Sequence, residues 1–364
     1  MIFMTHIDPF DVSDEQEIDY QRMVKEFGTQ PISSVKDLPD YKAFRRGFVF
    51  SHRDFDKFIA AAKAKKKVSI LTGVNASGSL HLGHKWTLDL VIALQNAYGI
   101  PVILTISDDE AYVTGKAKDQ VEALKNAKLI AAQLVALGFD MSKTKILIHQ
   151  QYTNIYNLAI KLSTRCTLSE IKAIYGFDMS KNPGQWFYPV VQAADILLPQ
   201  EMDGPHHVLV PIAIDQDPHL RLARDIADKV GYIKPSVVHM RFLRGLKGGS
   251  KMSKSKPGSA IFLDEKPEAA VKLCNQALTG GQSTVEEQRR LGGDPEVSVV
   301  IEYLGAHFIE DDKELEKLKA DYRAGKLLDG EVKKMLADSV KKYLVDFQAR
   351  VKLAEKDLDK YLMK

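Results

Sequence analysis

Residues 68–84 read VSILTGVNASGSLHLGH, and the architecture follows from how this stretch is parsed. VSILTG is a short β-branched run ending in turn residues, which predicts a buried strand. Residues 82–97 continue with a helix-like pattern. Gly73 therefore closes a strand, and the loop after it feeds a helix N-terminus. Free backbone N–H groups and the helix dipole favour an anion there, phosphate in particular. The loop is not a P-loop, because Ser79 and Leu80 follow Gly78 where Lys and Ser/Thr are required. No G-x-G opens it, so the dinucleotide fingerprint is absent too. Positive charge for a phosphate chain must come from elsewhere in the sequence.

The pattern repeats on either side. IPVILTIS (100–107), KILIH (145–149), HVLVPIAID (207–215) and SVVHM (236–240) read as strands. Residues 119–137 place Val121, Leu124, Ala127, Ala131 and Leu134 at helical spacing, with Gly138 as a natural stop. Residues 218–230 are helical as well. Strand–helix alternation with uniformly apolar strands predicts an α/β fold, a Rossmann-like parallel sheet covered on both faces. Ligands of such sheets bind at the carboxyl ends of the strands. From Leu263 onward the strands stop, and 266–278, 297–308, 313–324 and 331–362 read as amphipathic helices. The expected organisation is an N-terminal extension (1–45) with a helical patch at 15–27, a Rossmann-like domain (46–262) and a C-terminal all-helical domain (263–364).

The 364 residues carry 45% hydrophobic residues, ordinary for a globular chain. Charges interrupt every apolar run well short of the ~20 residues of a membrane span. The N-terminus turns acidic where an export signal stays apolar. Two cysteines, Cys166 and Cys274, exclude a disulfide framework and a cysteine-rich zinc site, so a cytoplasmic setting is expected. A net charge of +3 leaves room for a local basic face toward nucleic acid without requiring one.

His81 and His84 lie three apart at the helix start and point from one face. Gly83 between them lets a flat ring approach the backbone. No carboxylate or cysteine stands at ligand spacing beside them, which disfavours a metal, and no metal held by protein side chains is expected. The missing charge appears in GGSKMSKSKPG (248–258), where Lys251, Lys254 and Lys256 sit in a loop flanked by glycine and proline. Taken singly, an H-x-x-H pair reads as surface histidines and a lysine run as a solvated loop. Together, after a strand and about 170 residues apart, they read as a phosphate clamp.

HLGH and KMSKS resemble the two signature motifs of the class I aminoacyl-tRNA synthetases. RRGFVFSHRDFD (45–56), SDDEAYV (107–113), AIDQDPHLRLARDIA (213–227) and ALTGGQSTVEEQRRLGGDPEVSVVIEYL (277–304) resemble tryptophanyl-tRNA synthetases of the archaeal and eukaryotic cytosolic type. The likeness covers nearly the whole chain. It implies that tryptophan's carboxylate attacks the α-phosphate of ATP to give tryptophanyl-adenylate and pyrophosphate, and that tRNA(Trp) then accepts the amino acid. It further implies a cytoplasmic homodimer, away from any membrane, with the helical domain reading the anticodon. His81 and His84 would support phosphates and ribose, and Lys251 and Lys254 the leaving pyrophosphate, with Mg²⁺ bridging the phosphates. Thr72, Gly73, Asn75, Gly83, Met252 and Ser253 match positions that line ATP. Glu110, Gln192 and Gln216 match positions that bind the substrate ammonium.

In two places the sequence departs from those relatives. They carry Tyr at the position of Leu71 and Gln at the position of Thr105, where the side chains hold the indole nitrogen. Leu71 has no acceptor and Thr105 is shorter. An unpartnered buried indole N–H costs roughly 1–3 kcal/mol, so another acceptor is required. WFYPVVQAADILLP (186–199) offers Asp195, in a segment similar to that of the bacterial tryptophan enzymes. The bland reading of Asp195 is a helix-surface carboxylate. Related tyrosine enzymes use the same position on a phenol, with Tyr188 and Gln192 also matched, so tyrosine is the alternative substrate. A small-molecule nucleotidyltransferase and a non-catalytic synthetase paralogue are the other rivals. The helical domain argues against the first, and intact His81, His84, Lys251 and Lys254 against the second. His206, Trp86 and Trp186 read as structural residues.

Overall fold

Seven strands form one sheet: β1 (Gln30–Pro31), β2 (Val49–Arg53), β3 (Val68–Asn75), β4 (Val102–Ser107), β5 (Thr144–Ile148), β6 (His207–Ala213) and β7 (Ser236–Met240). In the computed structural model, which describes residues 20–252 and 257–364, their order is β1-β2-β7-β6-β3-β4-β5. The five strands from β7 to β5 are parallel. They are buried along nearly their whole length, as a sheet covered on two sides must be. From β3 the chain steps outward through β4 to β5, then returns to the other side of β3 for β6 and β7. The reversal leaves a crevice between the carboxyl ends of β3 and β6, where ligands of such sheets bind.

β1 and β2 extend the sheet in the antiparallel sense, which the purely parallel expectation does not contain. The reason is visible in β2. Ser51 and His52 are buried at its centre, and Ser51 Oγ is 2.9 Å from His239 Nδ1 on β7. Two polar residues in the middle of VFSHR break the apolar run that marks a central strand. The helical patch at 15–27 corresponds to a helix at Tyr20–Glu26, and its earlier part lies outside the described residues. No strand longer than an isolated bridge follows Met240 among the described residues.

The helices of the C-terminal third do not stand apart from the sheet. Leu90 and Leu94 of the Leu82–Tyr98 helix and Ile130 of the Gln120–Ala136 helix share one apolar cluster with Leu336, Leu344 and Phe347 of the Asp329–Ala354 helix. Arg46 ties the N-terminal part to the same region, donating to the Ile309 carbonyl at 2.8 Å and to Asp312 at 2.6 Å. The region 297–308, read as one helix, is an α-helix at Val299–Tyr303 that widens into a π-turn at Leu304–Phe308. No described helix is long and apolar enough to cross a membrane.

One buried carboxylate locks β2 and β7 to the helix that follows β6. Asp217 opens the Asp217–Lys229 helix, accepts from Arg53 at 3.0 and 3.1 Å, and lies 3.0 Å from His239 Nε2. Burial alone would raise its pKa. The His239 and Arg53 contacts outweigh burial and bring it from the ordinary 3.8 to about 2. A carboxyl lowered in the folded state stabilises fully above its unfolded pKa, and that stabilisation is lost as pH falls through about 2. Asp217→Asn leaves Arg53 without its counter-charge and lowers stability by about 3 kcal/mol. Urea denaturation at neutral pH measures this, and an unchanged midpoint would remove Asp217 from the stabilising network.

Candidate active site

The site is assembled from the residues that follow β3 and β6. His81 is not a helical residue but the N-cap of the Leu82–Tyr98 helix, with extended backbone. Its Nδ1 accepts the Gly83 N–H at 3.1 Å, and His84 Nδ1 accepts the His81 N–H at 3.2 Å. The two imidazoles close a reciprocal cap and lie 3.8 Å apart between ring centres. The Leu82 N–H donates to the Ile261 carbonyl at 3.1 Å, and the whole turn stands at the positive end of the helix dipole.

Gly83 is glycine for a steric reason. A Cβ there would stand 2.9 Å from His81 Cε1 and 3.3 Å from Met252 Sδ. The His81 ring and the Met252 thioether themselves occupy the room a side chain at Gly83 would need, which is where a flat ligand ring was expected to approach. Met252 is buried, and its N–H donates to the Leu243 carbonyl at 3.2 Å. The start of the lysine loop therefore lies against the start of the histidine helix, although the two are far apart in sequence. Lys251 sits beside it, its ammonium 5.6 Å from the centre of the Phe242 ring. Ser253 and Lys254 lie outside the described residues.

Along the crevice, Thr72, Gly73 and Asn75 occupy the carboxyl end of β3. Thr72 Oγ1 donates to the Pro211 carbonyl at 3.3 Å, bonding β3 to β6 across the point of reversal. Gly73 pairs with Thr105 on β4, and a Cβ at Gly73 would meet Thr105 Oγ1 at 2.4 Å. The amide of Asn75 is buried with neither Nδ2 nor Oδ1 hydrogen-bonded among the described residues. Asp215 Oδ1, just past β6, is equally without a partner. Burial raises the Asp215 pKa, and the Lys251 ammonium opposes that rise. Buried polar atoms left open at the mouth of an α/β sheet are what a polar ligand satisfies.

The amino-acid side of the crevice is built from β4, the short Asp108–Val113 helix and the Pro183–Asp203 helix. Tyr188, Gln192 and Asp195 share one face of the latter, which contains Pro189 and Pro199 and begins at the Asn182 cap. Tyr188 O–H donates to Gln192 Oε1 at 2.7 Å. Ser107 Oγ donates to Glu110 Oε2 at 2.8 Å, and Gln216 follows β6 in a single 3₁₀ turn. Leu71 is buried in the same apolar cluster as Tyr188 and Val191.

Asp195 is only 3% exposed, so it is no surface carboxylate. Its oxygens lie 3.0 and 3.1 Å from Nε2 of His149. Neither His149 nor Asp215 is among the sequence-derived candidates. Asp215 has a signal in the sequence, since it lies beside Gln216 beyond a strand end. His149 has almost none. His206 proves structural, with Nε2 2.8 Å from Ser69 Oγ and Nδ1 2.7 Å from the Gly204 carbonyl.

A histidine-capped helix start and the start of a lysine loop meet at the reversal of a parallel sheet, with an acidic and amide-bearing pocket beside them, the layout of an α/β site for a phosphate-bearing ligand. Residues 63–345 match the family of class I tRNA synthetases for W and Y, and the chain belongs to that family. Within it, the chain is similar to the tryptophan–tRNA ligase of Methanopyrus kandleri, 40% identical over 94% of this chain and 93% of that protein. A crystal structure of tryptophanyl-tRNA synthetase from Aeropyrum pernix superposes with a TM-score of 0.87 at 37% identity, covering 98% of this chain and 99% of that one. A tryptophanyl-tRNA synthetase from Encephalitozoon cuniculi, solved bound to tryptophan, superposes at 0.85 with 30% identity over 97% of this chain and 99% of that one.

Proposed function

We propose that this chain activates L-tryptophan with ATP and transfers the tryptophanyl group to tRNA(Trp). The observation that carries the reading is the meeting of Met252 with Gly83, which seats the start of the lysine loop on the histidine-capped helix. ATP binds with its phosphates over the start of the Leu82–Tyr98 helix, with Asn75 and the β3 end beside it. His81 and His84 hold the phosphate and ribose oxygens. Tryptophan lies toward the Pro183–Asp203 helix, its ammonium among Glu110, Gln192 and Gln216. Its carboxylate attacks the α-phosphorus in line, and the bond to the bridging oxygen of pyrophosphate breaks. Lys251 and Lys254 take up the charge that gathers on the departing pyrophosphate. Mg²⁺ enters with ATP as its counter-ion. The reaction needs no covalent enzyme intermediate, so catalysis rests on positioning and charge stabilisation.

The side-chain pocket supports tryptophan. Leu71 offers the ring an apolar wall, and Asp195 offers its N–H an acceptor. A phenol held by one hydrogen bond would be separated poorly from a phenyl ring, because nothing else polar would be left unpaired by the wrong substrate. The helical region 263–364 is proposed to bind the tRNA anticodon, and the enzyme to act as a cytoplasmic homodimer. The test is ATP–pyrophosphate exchange without tRNA. Exchange is expected with tryptophan and not with tyrosine. Exchange with tyrosine alone would reverse the specificity, and none with either would mark a non-catalytic paralogue.

A further inference from the structure

One fully buried polar group on the amino-acid side of the crevice is used by none of the steps above. His149 follows β5, is fully buried, and lies between two carboxylates. Its Nδ1 is 2.7 Å from Asp109 Oδ1, and its Nε2 is 3.0 Å from Asp195 Oδ2 and 3.1 Å from Asp195 Oδ1. A neutral imidazole has a single N–H and can serve only one of them, leaving a lone pair against the other. With both carboxyls ionised, two such contacts call for a ring protonated on both nitrogens, against the burial that raises the Asp195 pKa.

The surroundings are consistent with that charge. Tyr156, from the Asn154–Ser163 helix, stands edge-on to the ring at 6.4 Å and donates to Asp109 Oδ2 at 3.2 Å. Asp108 accepts the Gln150 N–H at 3.2 Å. Burial disfavours a cation here, but Asp195 and Asp109 outweigh it and hold the His149 pKa well above the ordinary histidine range. Asp109 Oδ1 also accepts the Glu110 N–H at 2.8 Å. Through these contacts one ring connects the helix that carries Glu110, at the ammonium end of the substrate, to the helix that carries Asp195, at the ring end.

Resting on the reading of Asp195 as the indole acceptor, we propose that His149 is a positioning residue for amino-acid selection, an imidazolium that bridges Asp109 and Asp195. The bridge keeps the Asp195 carboxylate oriented as an acceptor of the indole N–H.

The test compares tryptophan with benzothienylalanine, in which sulfur replaces the indole N–H, in pyrophosphate exchange by the full chain and its His149→Gln variant. Wild type is expected to prefer tryptophan in kcat/KM by about tenfold or more, the scale of a hydrogen bond to a charged group. His149→Gln raises the tryptophan KM by about the same factor, with the ATP KM and the benzothienylalanine KM nearly unchanged. In wild type the tryptophan KM stays flat through neutral pH and rises at alkaline pH as the imidazolium loses its proton, and the variant loses that rise. Should the single variant fail to fold, Asp109→Asn combined with His149→Gln removes the stranded carboxylate and the same comparison applies. An equal loss for both amino acids, or an undiminished preference in the variant, overturns the role of His149 alone. A wild type that makes no distinction overturns Asp195 as acceptor, and the bridge with it.

Discussion

Lys251→Ala lowers kcat for tryptophan-dependent pyrophosphate exchange by about 100- to 1,000-fold, corresponding to ~3–4 kcal/mol of transition-state stabilisation. The tryptophan KM changes little. The Lys251 ammonium rests over the Phe242 ring and near the buried Asp215 carboxyl. A cation–π contact of that kind is worth only about 1 kcal/mol, so the charge is available when a stronger partner arrives. That partner is the pyrophosphate oxygen, whose charge grows as the bond to the α-phosphorus lengthens. A group that binds the transition state more strongly than the ground state acts on kcat. Steady-state exchange at saturating ATP reads this directly. A variant retaining more than about a third of the rate would show that Lys251 does not reach the departing phosphates.

Asp195→Asn raises the tryptophan KM by about 10- to 150-fold, the loss of ~1.5–3 kcal/mol for a hydrogen bond to a charged acceptor. The effect has two parts. The amide has one acceptor oxygen where the carboxylate has two, and its NH₂ can face the indole N–H as a second donor. It also withdraws one of the two charges that flank His149, which reorients the whole group. Asp195→Ala is harsher, because it leaves the buried imidazolium half-paired. It destabilises the fold by about 3–5 kcal/mol, which thermal unfolding detects alongside the kinetics. An unchanged tryptophan KM in Asp195→Asn would take this residue out of the pocket.

The parallel core of the sheet can be read from the sequence because its strands are uninterrupted apolar runs bounded by turn residues. β3, β4, β6 and β7 fall within one or two residues of their expected positions. The Gln120–Ala136 helix is legible for a second reason, since Asp119 caps it by accepting the Glu122 N–H at 2.8 Å. The Pro183–Asp203 helix is harder to see. Pro189 and Pro199 each lack the N–H that a helix interior uses, and the surrounding turns absorb the loss. The π-turn at Leu304–Phe308 carries no propensity signal that separates it from an α-helix.

The site divides in the same way. Histidines and lysines gathered into short motifs announce themselves. His149 does not, because it is a lone residue at the end of KILIH whose partners stand 40 and 46 positions away. Only the folded sheet brings them together. Asp195 lies between these cases. Its place in the sequence suggests a pocket residue, but its burial and its engagement with His149 are properties of the tertiary structure.

β5 is the outermost strand on its side of the sheet, and its flank is not left bare. The Ile146 N–H donates to the Tyr361 carbonyl at 3.0 Å, and the Met363 N–H donates back to the Ile146 carbonyl at 2.8 Å. Residues 361–363 thus act as a guard rail along a margin that would otherwise recruit a foreign strand. Met363 also packs against the apolar cluster that contains Leu71 and Tyr188. Trimming the guard would therefore bare a sheet margin and at the same time withdraw support from the wall of the amino-acid pocket.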